Sequence, residues 1–251
     1  MKKKTLISII ITYYKKKTFL KKTIQSILNQ SYKNYELIFV YDDEDKKDVK
    51  FINNTLRKIK RKQILINKKN LGVAKSRNIA IKKSKGSYLA FIDSDDIWKK
   101  NKLLIQLNFM KKNSCHFSFT SYGIINEKNY LIGTRKVILD ANYNNLYNSN
   151  FIGLNTVMIH RKLVKKIIFP NLKTQEDFAL WLKLARQGFE LKHLKQTLSF
   201  WRKTKNSLSA NVFQKLIDAF KLYYIYEKKN LIFSIYSVII LSYNKLIKSF
   251  N

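Results

Sequence analysis

The sequence predicts an α/β protein in which a mostly parallel central sheet carries flanking helices and is followed by a C-terminal helical extension. Two observations lead there. Through Lys111, strand-like apolar runs alternate with helix-like segments in the order β-α-β-α-β-α-β-α, the pattern of parallel strands joined by right-handed crossovers. The runs are also unbroken, as strands buried on both faces must be.

The elements follow in order. Leu6–Ile11 (LISIII) is rich in β-branched residues and uninterrupted, a buried strand. Thr18–Asn29 sets Phe19, Ile24, Ile27 and Leu28 at helical spacing. Tyr35–Tyr41 (YELIFVY) reads as the second strand, and Val49–Ile59, with Val49, Ile52, Leu56 and Ile59 on one face, as the second helix. Gln63–Ile66, Val73–Lys83, Tyr88–Ile92 and Trp98–Lys111 continue as strand, helix, strand and helix. The second half changes character. Phe117–Tyr122 and Tyr130–Val137 read as strands of a candidate hairpin, Thr156–His160 as a further strand, Phe178–Arg186 as a helix and Leu198–Trp201 as extended; from Val212 the chain is helical in type. Open α/β sheets bind ligands beyond the carboxyl ends of their strands, so the loops after Ile11, Tyr41 and Ile92 are where chemistry is expected.

At 251 residues, 45% hydrophobic, with 1 Pro and 6 Gly, the chain fits one sizeable core plus an extension and leaves little room for flexible linkers. The single cysteine, Cys115, excludes an internal disulfide framework and reads as buried and inert. His116, His160 and His193 show no zinc-ligand spacing with it. The apolar stretch Leu6–Ile11 is too short for a signal sequence, and no run approaches the ~20 residues of a membrane span, which predicts cytoplasmic residence. The net charge of +34 would attract nucleic acid, an anionic membrane or a phosphorylated substrate. Much of that excess is Lys, and with abundant Asn and Ile this matches a compositional bias toward AT-rich codons. No zinc-finger spacing, RNP-like strand or basic heptad helix supports a nucleic-acid partner.

Ten of the 16 acidic residues fall in three clusters: Asp42, Asp43, Glu44, Asp45 and Asp48; Asp93, Asp95 and Asp96; Glu176 and Asp177. The first two stand at predicted strand ends. Clustered carboxylates repel unless a cation or ligand donors offset them. Asp93–Asp96 read either as a cap for the following helix or as an Asp-x-Asp site for Mg²⁺ or Mn²⁺ completed by substrate phosphates, and the position at a strand's carboxyl end favours the metal. Asp42–Asp43 read as an acidic turn or as acceptors for a nucleobase or ribose. For Glu176–Asp177, local spacing favours a capping box opened by Thr174 or Gln175 over a general base.

These segments together resemble the family 2 glycosyltransferases, nucleotide-sugar-dependent enzymes with the GT-A fold. ISIIITYYK, SILNQSYKNYELIFVYDDEDKKD, NLGVAKSRNIAIKKSKGSYLAFIDSDDIW and QEDFALWLKLARQGFE stand in the family's order between Ile7 and about Ser209, and FWRKTKNSLS resembles its site-closing segment. The resemblance implies a GT-A domain over residues 1–209 and a helical extension over 210–251. It places Thr12 and Tyr14 at the nucleobase pocket, Asp43 on the base with Asp42 beside it, Arg77 and Asp93 near the nucleotide, Asp93 and Asp95 on a divalent cation, Mn²⁺ or Mg²⁺, and Asp177 as catalytic base. Two departures lie near the nucleobase: the family often has Asn where Lys15 stands and a Gly-Ser turn where this chain has Glu44–Asp45. UDP is the default nucleotide, with dTDP and GDP as alternatives. The implied reaction is inverting transfer from a nucleotide-sugar donor to a glycan or lipid-linked acceptor in cell-surface polysaccharide synthesis. A non-catalytic nucleotide-sugar binder is the rival.

The uncharged stretch Leu231–Tyr243 (LIFSIYSVIILSY), bracketed by Lys228, Lys229 and Lys245, suits a helix lying on an anionic membrane surface. A helix packed on protein is the equal alternative.

Overall fold

The computed structural model describes residues 4–204 and 211–250, with side chains to Asn244. The expected junction at 209/210 and the end of the site-closing segment lie outside the described residues. The elements are β1 (Ile7–Tyr13), α1 (Lys17–Leu28), β2 (Tyr35–Tyr41), α2 (Val49–Leu56), β3 (Lys62–Ile66), α3 (Val73–Lys83), β4 (Tyr88–Phe91), β5 (Ile97–Trp98), α4 (Lys102–Lys112), β6 (Phe117–Ile125), β7 (Leu131–Arg135), α5 (Tyr143–Tyr147), β8 (Met158–His160), α6 (Glu176–Arg186), β9 (Lys192–Arg202), α7 (Val212–Lys221) and α8 (Leu231–Phe250). A π-helical turn, Leu222–Tyr226, follows α7 directly.

Among the described residues, nine strands form one sheet in the order β3-β2-β1-β4-β8-β6-β9-β5, with β7 paired to β6. The β3-β2-β1-β4 half is parallel. Beyond it β8 is antiparallel to both β4 and β6, and β9 runs parallel to β6. Side chains alternate along β1, β2 and β4, and both sets are largely buried, while the edge strand β3 is half-buried to exposed. Ile10, Ile38, Val40, Leu89 and Phe91 join a core with α3, α6 and the C-terminal helices. Ile9, Ile11, Leu37, Phe39 and Ala90 join a second with α1, α2 and α4. This is why the runs carry no polar alternation. Trp181 of α6 is fully buried, edge-on to Phe117 at 5.0 Å.

Several boundaries shift for physical reasons. The helix expected from Trp98 starts at Lys102, because Ile97 and Trp98 pair with Phe200 and Ser199 of β9. The acidic loop is thereby separated from the helix start, Asn101 occupies the N-cap position, and the first turn of α4 holds no acidic residue. The capping reading of Asp93–Asp96 is lost. The extended segment expected at Leu198–Trp201 is the end of an 11-residue strand whose pairing with β6 is broken by register shifts; those irregularities hide the strand's period. The expected hairpin forms between β6 and β7.

The C-terminal helices are built into the core. Ala219, Leu222, Tyr223 and Leu241 belong to the same cluster as Trp181. The Thr174 amide and hydroxyl both donate to Asp218 of α7, at 2.8 and 2.9 Å. Arg186, at the far end of α6, pairs with Glu227 just past the π turn, at 3.3 Å. The segment from Asp218 to Glu227 thus runs beside α6 in the same direction, pinned at both ends.

Candidate active site

The carboxyl ends of β1, β2 and β4 deliver three loops to one edge of the sheet. At the first, Tyr13 is fully buried and donates to Asp48 at 2.7 Å, while Thr12 is half-buried and Tyr14 is exposed. Lys15 follows with φ +51°, a left-handed conformation that Gly and Asn adopt most readily, so the family's frequent Asn here has a backbone reason. The Lys15 ammonium lies over the Tyr14 ring, 5.1 Å from its centroid.

At the second loop Asp42 and Asp43 are both buried, but they do different things. Asp42 Oδ1 accepts from Asn67 Nδ2 at 2.7 Å and from the Leu71 amide at 2.8 Å, which anchors the approach to α3. The Asp43 carboxylate accepts a long contact, 3.3 Å, from the Asp45 amide, and its carbonyl accepts from Lys46 Nζ, also at 3.3 Å. The turn-opening role suggested for the pair belongs to Asp45, which caps Lys47 N at 3.0 Å.

The third loop holds Asp93, Asp95 and Asp96. Asp93 Oδ1 accepts from Arg77 at 2.8 Å, and the same guanidinium pairs with Glu176 and lies over the Phe169 ring. Arg77 is 4% exposed. Burial opposes its charge, but Asp93, Glu176 and Asp177 outweigh it and hold its pKa above the ordinary value. One arginine therefore joins the Asp-x-Asp loop to the Glu-Asp pair at the start of α6. Asp95 pairs with Lys16 at 3.0 Å; burial pushes its carboxyl up while Lys16 opposes the shift. Asp96 is buried and accepts from Asn155 Nδ2 at 2.6 Å and the Arg202 amide at 2.8 Å. Arg202 Nε also donates to the Asp95 carbonyl at 2.7 Å. The end of β9 thus clasps the acidic loop.

The start of α6 is not a capping box. Gln175 makes no side-chain cap, Thr174 is engaged by Asp218 and Glu176 by Arg77. Gln175 instead has φ +63°, a strained conformation of the kind stored at functional sites. Burial and the adjacent Glu176 charge push the Asp177 carboxyl up to about 7, the range a general base needs.

The donor set suits the expected cation. Asp93 and Asp95 offer hard oxygen ligands, and the Asp93 side chain is 37% exposed. Among the described residues no group of three or more His, Cys, Asp or Glu could hold an ion alone, so a substrate diphosphate and water would supply the remaining ligands. Lys16 would have to release Asp95 for direct coordination.

Sequence reasoning overlooks Lys16, Asn155, Phe169 and Arg202, and it misjudges Glu176. Only Arg202 left a trace, inside FWRKT.

Known proteins resemble this chain in sequence and in fold. The family model described as Glycosyl transferase family 2 matches residues 8–168. An uncharacterized glycosyltransferase of Haemophilus influenzae is 38% identical over 246 residues, covering 97% of each chain. The Escherichia coli UDP-Glc:alpha-D-GlcNAc-diphosphoundecaprenol beta-1,3-glucosyltransferase WfaP is 38% identical, covering 84% of this chain and 83% of its own. The Bacillus subtilis putative teichuronic acid biosynthesis glycosyltransferase TuaG is 34% identical, covering 90% and 88%. Among solved structures, S. aureus TarS in complex with UDP-GlcNAc superposes with TM-score 0.73 at 19% identity, covering 88% of this chain and 65% of TarS. The fold is that of the GT-A glycosyltransferases. Its sequence places the chain more closely: it belongs to glycosyl transferase family 2.

Proposed function

We propose that the protein is an inverting, metal-dependent hexosyltransferase that moves a sugar from a UDP-sugar to a hydroxyl of a lipid-linked saccharide during cell-surface polysaccharide synthesis. The observation that carries this reading is the bridge through Arg77, which brings Asp93 and the Glu176–Asp177 pair to one edge of the sheet. That proximity supports reading the two clusters as a donor site beside an acceptor base. The UDP-sugar donor and lipid diphosphate acceptor are supported by what WfaP is described as using.

The residues divide the work. Thr12, Tyr14 and Asp43 would receive the nucleobase, with Asp42 bracing their loop. Asp93 and Asp95 would hold Mg²⁺ or Mn²⁺, which when bound offsets negative charge developing on the departing diphosphate. Arg77 fixes Asp93 and shares that electrostatic field. Asp177 accepts the proton of the acceptor hydroxyl as its oxygen attacks the anomeric carbon; the carbon–diphosphate bond breaks on the opposite side and the configuration inverts.

Titration with UDP, with and without Mn²⁺, beside turnover assays on UDP-sugars with a short polyprenyl-diphosphate GlcNAc acceptor tests this reading. Metal-enhanced UDP binding and product formation are expected. Asp95→Asn should abolish the metal enhancement and nearly all transfer, and wild-type turnover by this variant would overturn the assignment. UDP binding with no transfer to any acceptor would leave a nucleotide-sugar binder.

A further inference from the structure

Helix α8 is built inside out. It turns Ser234, Ser237 and Leu241, all buried, toward the domain with half-buried Val238 beside them, at the spacing of one helical face. The Ser234 hydroxyl donates to the Asn230 carbonyl just before the helix and the Ser237 hydroxyl to the Phe233 carbonyl within it, and Ser237 also meets the Tyr147 hydroxyl at 3.0 Å. The large apolar residues point the other way: Ile232 is 77% exposed, and Phe233, Tyr236 and Ile239 are exposed beside it. A helix standing in water places its polar residues outward. Helix α7 adds to the anomaly. Its inner face, Asp218 and Ala219, is fully used, yet Phe213 is 80% exposed and Ile217 half exposed. The two helices touch each other, and both leave large apolar residues exposed. So much exposed apolar surface on adjacent elements marks an interaction site.

We infer that the exposed faces of α7 and α8 dock together on an anionic lipid bilayer. Charge selects this occupant over a second copy of the chain. Lys221 and Lys228 are exposed beside the apolar residues, and the whole chain carries +34. A second copy brings the same charge and repels; acidic headgroups attract. Exposed Tyr224, Tyr236 and Tyr243 suit the headgroup level, where an aromatic body and a polar tip are both accommodated. Among the described residues no helix is long and apolar enough to cross a membrane, so the helices lie along the surface. The benefit to catalysis rests on the proposed lipid-linked acceptor: α7 is held through Asp218, on its buried face, by Thr174, three residues before Asp177, which ties the docked helix to the segment that carries the base.

Sedimentation with phosphatidylcholine vesicles, with and without phosphatidylglycerol, tests the docking with no donor or acceptor present. UDP binding measured in parallel keeps its outcome separate from that of the proposed function. The full-length protein should bind the anionic vesicles and lose binding as salt is raised. The double variant Phe213→Gln/Ile232→Gln, altered only at exposed positions, should bind about tenfold or more weakly with unchanged melting and UDP affinity. Failure of the wild type to bind anionic vesicles, or equal binding by the variant, overturns the inference. A wild-type dimer in sedimentation velocity that the variant dissociates, without vesicle binding, overturns it too and gives the face to a second copy.

Discussion

Burial and the neighbouring Glu176 push the Asp177 carboxyl up to about 7, and the sign of that shift fixes how transfer should respond to pH. A base works in its ionised form, so turnover at saturating substrate should rise about tenfold per pH unit below 7 and level off above it. Asp177→Asn should lose this limb and about 10²-fold or more in turnover, with UDP affinity nearly unchanged. If UDP affinity fell with turnover, Asp177 would be a donor ligand. Lys102 offers a second titration, away from the chemistry. It is fully buried, donates to Gln106 at 2.9 Å and lies 4.3 Å from the Trp98 ring centroid. Burial lowers its pKa to about 7, so between pH 7 and 10.5 the unfolded chain binds the extra proton. Stability from this group should therefore rise with pH across that window, by up to ~1.4 kcal/mol per unit. Denaturant titrations at pH 7 and 9 should show the rise in the wild type and its loss in Lys102→Met.

Elements here are held in register by close approaches that local propensity does not describe. Gly86, between α3 and β4, is an example. Its amide donates to Ser8 Oγ at 2.8 Å and to Glu36 at 3.1 Å, and a Cβ there would stand 2.5 Å from the Ser8 backbone nitrogen. Gly86→Ala should cost about 1–3 kcal/mol and lower the melting temperature accordingly. A melting curve unchanged within error would mean that β1 and β4 can separate locally. The same distinction explains what could be read from sequence. Strands β1, β2 and β4 and helix α3 were legible because burial on both faces, or on one stripe, writes its period into the chain. Strand β5 is two residues long and β9 is interrupted by register shifts, so neither has a period to read. In the site, the Asp-x-Asp loop was legible from its place after an apolar run. The pairing of Arg77 with Glu176, 99 residues apart, is set by tertiary packing, and local spacing pointed to a cap instead.

At the scale of the whole molecule, charge and architecture are unevenly shared. The net charge of +34 surrounds a site in which Asp93 and Glu176 are held by one buried cation, Arg77. Removing that side chain as Arg77→Met would leave Glu176 buried without its partner, at a cost of about 3–5 kcal/mol, measurable by chemical denaturation. The C-terminal helices are equally integral. Asp218 binds Thr174 just before α6 and Glu227 binds Arg186 at its end, which ties α7 and the turn after it to the helix that carries the proposed base. A docked enzyme then works as a fixed-height ruler. On the proposed docking, the hydroxyl within reach would be one presented close to the leaflet, which would suit the opening additions to a lipid-borne chain and leave the tips of longer glycans out of reach.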